Sequence, residues 1–115
     1  MSLKIFHNPR CSKSRATLAL LQDKGLEPEI VLYLDQPPSE SELASILKKL
    51  GRTPRELMRT GEPEYRALGL ADESLTDKQL IKAMVGAPRL IERPIVLANG
   101  RAAVGRPPES VLEIL

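Results

Sequence analysis

The apolar positions of this 115-residue chain fall into short runs near both ends and helical spacings between them. Leu3-Lys4-Ile5-Phe6 predicts a short first strand, and a helix follows from about Ser12 to Lys24. Gly25 stops it, a residue suited to the left-handed position after a helix, with apolar Leu26 behind it. Ile30-Val31-Leu32-Tyr33-Leu34 is continuously apolar, the pattern of a strand covered on both faces. Asp35-Gln36-Pro37-Pro38 ends that run. Ser39-Glu40-Ser41-Glu42 then has the form of a capping box, and Leu43, Ile46, Leu47 and Leu50 share one helical face before Gly51. Thr53-Pro54-Arg55-Glu56 repeats the signal, with proline at the first helical position. A short helical piece around Pro63 to Leu68 follows, and Thr76-Asp77-Lys78-Gln79 opens a helix carrying Leu80, Ile81, Met84 and Val85 up to Gly86.

The last third changes period. Pro94-Ile95-Val96-Leu97 and Arg101-Ala102-Ala103-Val104 read as strands around Ala98-Asn99-Gly100, and Asn-Gly is a strong hairpin signal. Gly105-Arg106-Pro107-Pro108 starts a terminal helix with Val111, Leu112 and Ile114. The order is β-α-β, a helical middle, then β-β-α. That order predicts an α/β, thioredoxin-like fold over residues 1–115: one domain, a small mixed sheet and a helical insertion between its two halves. In such a fold the proline opening the hairpin strand faces the N-terminus of the first helix, so the Arg93–Pro94 peptide is expected to be cis.

Composition narrows the function classes. The length suffices for one hydrophobic core without staples. A net charge of +2, dispersed basic residues and three aromatics argue against nucleic acid. One cysteine excludes an internal disulfide, and no Cys/His cluster has zinc-site spacing, so no metal is expected. No apolar stretch has signal-peptide form or approaches the about 18 residues of a membrane span. The expectation is a cytoplasmic protein, where a lone thiol stays reduced, with a monomer as the default state.

The chemistry concentrates in His7-Asn8-Pro9-Arg10-Cys11-Ser12-Lys13-Ser14-Arg15, which holds the only cysteine and the only histidine. A single cysteine is most often a small buried hydrophobe. Pro9, Arg10, Ser12, Lys13 and Ser14 are poor core neighbours, however, and Cys11 falls at a strand-to-helix turn. Helix N–H groups and nearby cations lower a thiol pKa and make the sulfur a nucleophile. The same helix end suits a phosphate-like oxyanion. Cys11 is therefore the candidate nucleophile and His7 a supporting group. A doubly charged oxyanion needs several fixed donors, and arginine's planar fork supplies them in pairs. Arg59, Arg93 and Arg106 are the candidates, although a surface arginine is ordinarily only solvated; Arg93, between Ile91 and a buried-looking strand, is the strongest.

Several segments together carry a resemblance that covers essentially the whole chain. They are His7-Asn8-Pro9 with Cys11 and Ser14-Arg15, Leu57-Met58-Arg59, Glu92-Arg93-Pro94-Ile95-Val96, and Gly105-Arg106-Pro107-Pro108-Glu109. The sequence resembles the glutaredoxin-dependent arsenate reductases, a branch of the thioredoxin superfamily. The resemblance implies Cys11 as nucleophile, Arg59, Arg93 and Arg106 as oxyanion ligands, and His7 and Ser14 as supports of the thiolate, Ser14 through a hydrogen bond to sulfur. It also implies arsenate as substrate, glutathione as co-substrate with no tightly bound cofactor, and glutaredoxin as partner. Arg10, Ser12 and Lys13 depart from the small uncharged residues usual beside the cysteine. Two rivals follow: a thiol oxidoreductase of this fold acting on glutathione mixed disulfides, and a redox-sensing regulator that binds RNA polymerase. The second ordinarily has Cys-x-x-Cys at the helix start, where this chain has Ser14.

Overall fold

The computed structural model describes residues 2–115. The chain divides into two compact units, one comprising residues up to Gln36 together with Arg93–Leu115, the other Pro37–Glu92. The first unit is the β-α-β and β-β-α framework, and the second is the helical insertion.

In the first unit, β1 (Leu3–Phe6) lies between β2 (Glu29–Val31) and β3 (Ile95–Ala98), and β4 (Arg101–Val104) completes the order β2-β1-β3-β4. β1 pairs in parallel with β2, Ile5 opposite Ile30, and antiparallel with β3, Ile5 opposite Val96. The mixed, thioredoxin-like sheet thus has the predicted form. Helix α1 (Ser12–Asp23) and the C-terminal segment pack together, and the unit's core gathers Ile5, Leu21, Val96, Ala98, Val111 and Ile114. The β3–β4 hairpin turns at Asn99 and Gly100, with φ of 55° and 72°. Both residues of such a turn require positive φ, which asparagine and glycine tolerate best. The Arg93–Pro94 peptide is cis as expected, and so is Arg106–Pro107.

Two expectations fail here. The run from Ile30 to Leu34 is not a strand covered on both faces. β2 ends at Val31, because Leu32 O accepts from the N–H groups of Asp35 and Gln36 and the chain turns. β2 is a sheet edge, so Ile30, Leu32 and Leu34 remain exposed and only Tyr33 is buried. The terminal segment, expected as a helix, is a run of 3-10 turns over Pro108–Ile114. Its buried residues Val111 and Ile114 lie three apart, and a 3-10 turn places such a pair on one face.

In the insertion, α2 (Glu40–Leu50), α3 (Pro54–Leu57), α4 (Pro63–Ala67) and α5 (Asp77–Gly86) follow the predicted signals. Ser39 caps α2 by accepting from Glu42 N–H, and complete capping boxes at Thr53/Glu56 and Thr76/Gln79 open α3 and α5. Packing among α2, α3, α5 and the 3-10 turn Pro88–Leu90 buries Leu43, Ile46, Leu57, Leu80, Met84 and Leu90. No helix of the described residues is long and apolar enough to cross a membrane.

Gly105 holds one close approach in the first unit. A Cβ there would meet Thr17 Oγ1 of α1 and lie 2.8 Å from Pro94 Cγ, while Gly105 N–H donates to Pro94 O at 3.0 Å. Neither neighbour can move cheaply: Thr17 is fully buried with its hydroxyl bound to Lys13 O, and Pro94 is buried. Gly105→Ala is therefore expected to destabilise the protein by about 1–3 kcal/mol, the range for overpacking a well-filled site. A fall of several degrees in Tm would register it; an unchanged Tm would contradict the close packing.

Candidate active site

α1 begins without the usual cap. Ser, Thr, Asp or Asn normally occupies that position and accepts a free N–H of the first turn. Here the cap residue is Cys11, with φ −97° and ψ 123°, no side-chain oxygen caps the helix, and no acidic residue sits in the first turn. The unclaimed donors face sulfur instead. Burial raises the Cys11 thiol pKa, but the Ser14 N–H, the Arg93 charge, the Lys13 N–H and the Arg106 charge outweigh it, and the pKa lies below its ordinary value. At neutral pH the thiolate fraction is thus larger than for a free cysteine. Cys11 is mostly covered, with 7 % of its surface exposed.

Arg106 spans two partners. Its Nε–H donates to Arg93 O at 2.8 Å, and Nη2–H donates to Cys11 Sγ at 3.6 Å. The first bond fixes the guanidinium so that the second points at sulfur. Arg93 immediately precedes the buried cis proline and adds its charge to the same thiol. Two arginines and the first turn of α1 therefore converge on one sulfur.

The loop before Cys11 is tied from several directions. His7 Nδ1 and Ser14 Oγ are 2.6 Å apart, Asn8 N–H donates to Ser14 Oγ at 3.0 Å, and Arg10 N–H donates to Asn8 Oδ1 at 3.0 Å. Arg15 Nη1 reaches back to Pro9 O at 3.0 Å. Burial and the Arg15 charge push the His7 pKa below its ordinary value of 6.5, so the ring is neutral at neutral pH. The Ser14 hydroxyl is taken up by His7 and Asn8, and it is the Ser14 main-chain N–H that bonds sulfur.

The structure brings Cys11, His7, Ser14, Arg93 and Arg106 together within the first unit. Arg59 belongs to the helical unit, just past α3, where its Nη2 pairs with Glu62 Oε1 at 2.7 Å and its Nη1 donates to Arg89 O at 3.3 Å. Glu62 also binds Arg89 at 2.9 Å, so one carboxylate serves two arginines. An apolar groove of about 580 Å³ in this unit, between α4 and α5, is lined by no cysteine, histidine, serine or threonine. Sequence reasoning missed Gly105 and Thr17, which set α1 against the Pro94 loop, and Glu62. Arg59 and Glu62 lie in the turn between α3 and α4, outside any helix, so no helical spacing signalled their pairing. Among the described residues no cluster of His, Cys, Asp and Glu could hold a metal ion.

A thioredoxin-like fold with one cysteine at the start of its first helix, opposite a cis proline and two arginines, defines a class of thiol protein. The family model of the ArsC family matches residues 6–114, and the chain belongs to that family. An uncharacterized Escherichia coli K12 protein, YfgD, is 59 % identical over 98 % of this chain and 96 % of its own length. An arsenate reductase of Neisseria meningitidis serogroup A is 53 % identical over 98 % of this chain and 97 % of its own. The solved structure of an arsenate reductase from Vibrio cholerae superposes with a TM-score of 0.96 at 52 % identity, covering 100 % of this chain and 98 % of that one.

Proposed function

We propose that this protein reduces arsenate to arsenite through a covalent adduct on Cys11. The observation that carries this reading is the Arg106 guanidinium on the Cys11 sulfur at 3.6 Å, beside the first turn of α1. One set of donors stabilises the thiolate and presents positive charge to an anionic substrate. Family membership and the arsenate reductases among its relatives support the choice of substrate.

Arsenate is an anion at neutral pH and the nucleophile is an anion too, so their approach needs charge compensation. Arg93 and Arg106 supply it, and arginine's fork matches an oxyanion's edge. Arg59, the third ligand that the family resemblance implies, belongs to the helical unit, where Glu62 holds its guanidinium. The Cys11 thiolate attacks arsenic, an As–S bond forms, and one oxygen leaves as water after taking up protons. The glutathione thiol then adds to arsenic and displaces a second hydroxyl. A glutaredoxin thiolate attacks the glutathione sulfur, and the S–As electron pair stays on arsenic, which becomes As(III). Glutathione departs as a mixed disulfide on glutaredoxin. Water hydrolyses the remaining Cys11–arsenic bond, releasing arsenite and the thiol. A single cysteine suffices, because the other two thiols arrive on partners.

His7 and Ser14 position the loop and are not in the path of bond making. Ser14 Oγ already accepts from Asn8 N–H, so it either donates its proton to neutral His7 or accepts Nδ1–H from it. Both arrangements keep the His7–Cys11 loop in register with the first turn of α1.

Arsenite formation tests the reading: purified protein, arsenate, glutathione and a glutaredoxin should produce arsenite, with little when any one is omitted. Turnover with thioredoxin in place of glutathione and glutaredoxin would keep arsenate reduction and replace the partner. No arsenite with either reducing system would overturn the proposal.

A further inference from the structure

A second recess lies against the loop that leads into Cys11. It is a cleft of about 280 Å³ lined by residues 7–10, Leu32, Leu34 and Asp35. Neither Arg93 nor Arg106 lines it, so it is separate from the arginines that face sulfur. It exists because β2 ends early: the turn closed on Leu32 O leaves Leu32 and Leu34 exposed beside the 7–10 loop. Exposed leucines next to a reactive loop are informative where they line a concave surface. The charged groups there are one of each sign, Arg10 and Asp35, and both are exposed. Among the described residues, neither the Arg10 guanidinium nor the Asp35 carboxylate has a hydrogen-bond or ion-pair partner.

We infer that this cleft is the docking site of the thiol co-substrate, a zwitterionic peptide thiol of glutathione's size; this rests on the arsenate-reducing reading above. The volume is near the lower end of small-molecule pockets, roughly 300 Å³, and suits a tripeptide better than a protein segment. Arg10 takes a carboxylate, Asp35 takes the α-ammonium, and Leu32 and Leu34 lie under the apolar atoms between them. The lining loop runs directly into Cys11, and His7 both lines the cleft and bonds Ser14 in the first turn of α1. A thiol seated there is delivered beside the sulfur–arsenic adduct without displacing the arginines. The charged Arg10, at first sight out of place beside the cysteine, thereby acquires a function.

S-methylglutathione, which binds but cannot react through sulfur, tests the site by NMR on the ¹⁵N-labelled protein. Saturable shifts confined to residues 7–10 and 32–35 are expected. Arg10→Gln and Asp35→Asn should each weaken binding about fivefold, the upper end for a partly exposed ion pair, and Leu32→Ser should weaken it as well. Shifts mapping elsewhere, or unchanged affinity in all three variants, would overturn the inference. So would shifts of the cleft residues produced by glutaredoxin and not by the tripeptide, which would make the cleft a protein-docking surface. The arsenite assay separates the two proposals. Glutathione-dependent turnover without cleft binding refutes only the site, whereas cleft binding without arsenate turnover refutes only the reaction.

Discussion

Cys11→Ser should reduce arsenite formation by three orders of magnitude or more while leaving the fold intact. The replaced atom is the proposed nucleophile, and a serine hydroxyl in the same place is not ionised by helix N–H groups and two arginine charges. Because the first-turn donors of α1 point at this position, serine can still serve as an ordinary N-cap. The variant should therefore be at least as stable as the parent and still bind the oxyanion. Measuring arsenite production together with Tm separates the two effects. Retained turnover in the variant would remove Cys11 from the chemistry altogether.

Arg106→Ala should lower kcat/KM for arsenate about 10²–10³-fold, the scale of losing one preorganised donor at a site of developing charge. Two changes combine. The Nη2–H donor at sulfur is lost, so the Cys11 pKa rises and less thiolate is present at neutral pH. The Nε–H bond to Arg93 O is lost too, which frees the backbone beside Pro94. Arg106→Lys separates charge from geometry. Lysine keeps the positive charge but cannot hold the Arg93 carbonyl and face sulfur with two arms of one rigid plane. It should recover part of the thiolate population and little of the turnover. Full recovery by lysine would show that charge alone matters, and the forked geometry would then carry no weight.

Much of this site was legible in the sequence because the signals are local. The capping boxes at Thr53 and Thr76 and the Asn99-Gly100 hairpin each require particular residues within four positions, and each formed. Cys11 stood out because polar and charged residues around it contradict a core role, and the thioredoxin-like order of elements placed Arg93 and Arg106 near it. What the sequence hid depends on contacts between distant segments. Ile30, Leu32 and Leu34 look like core until the sheet order puts β2 at an edge. Gly105 reads as a turn residue, and only the approach of Thr17 and Pro94 shows why a Cβ is excluded. The bond to sulfur implied for Ser14 comes from its N–H, a group every residue but proline carries, so residue identity could not reveal it. Arg59 stood out only as a candidate anion ligand, yet Glu62, across the turn between α3 and α4, pairs with it.

The most direct test is the pH dependence of Cys11 alkylation by iodoacetamide, with and without arsenate. The thiolate is the reacting form, so the rate follows its population and rises through the thiol pKa to a plateau. Since that pKa is lowered, the midpoint should fall clearly below the free-cysteine value of about 8.5, and saturating arsenate should slow the reaction at every pH. A midpoint at or above about 8.5, with no protection by arsenate, would contradict an activated thiolate in an oxyanion site.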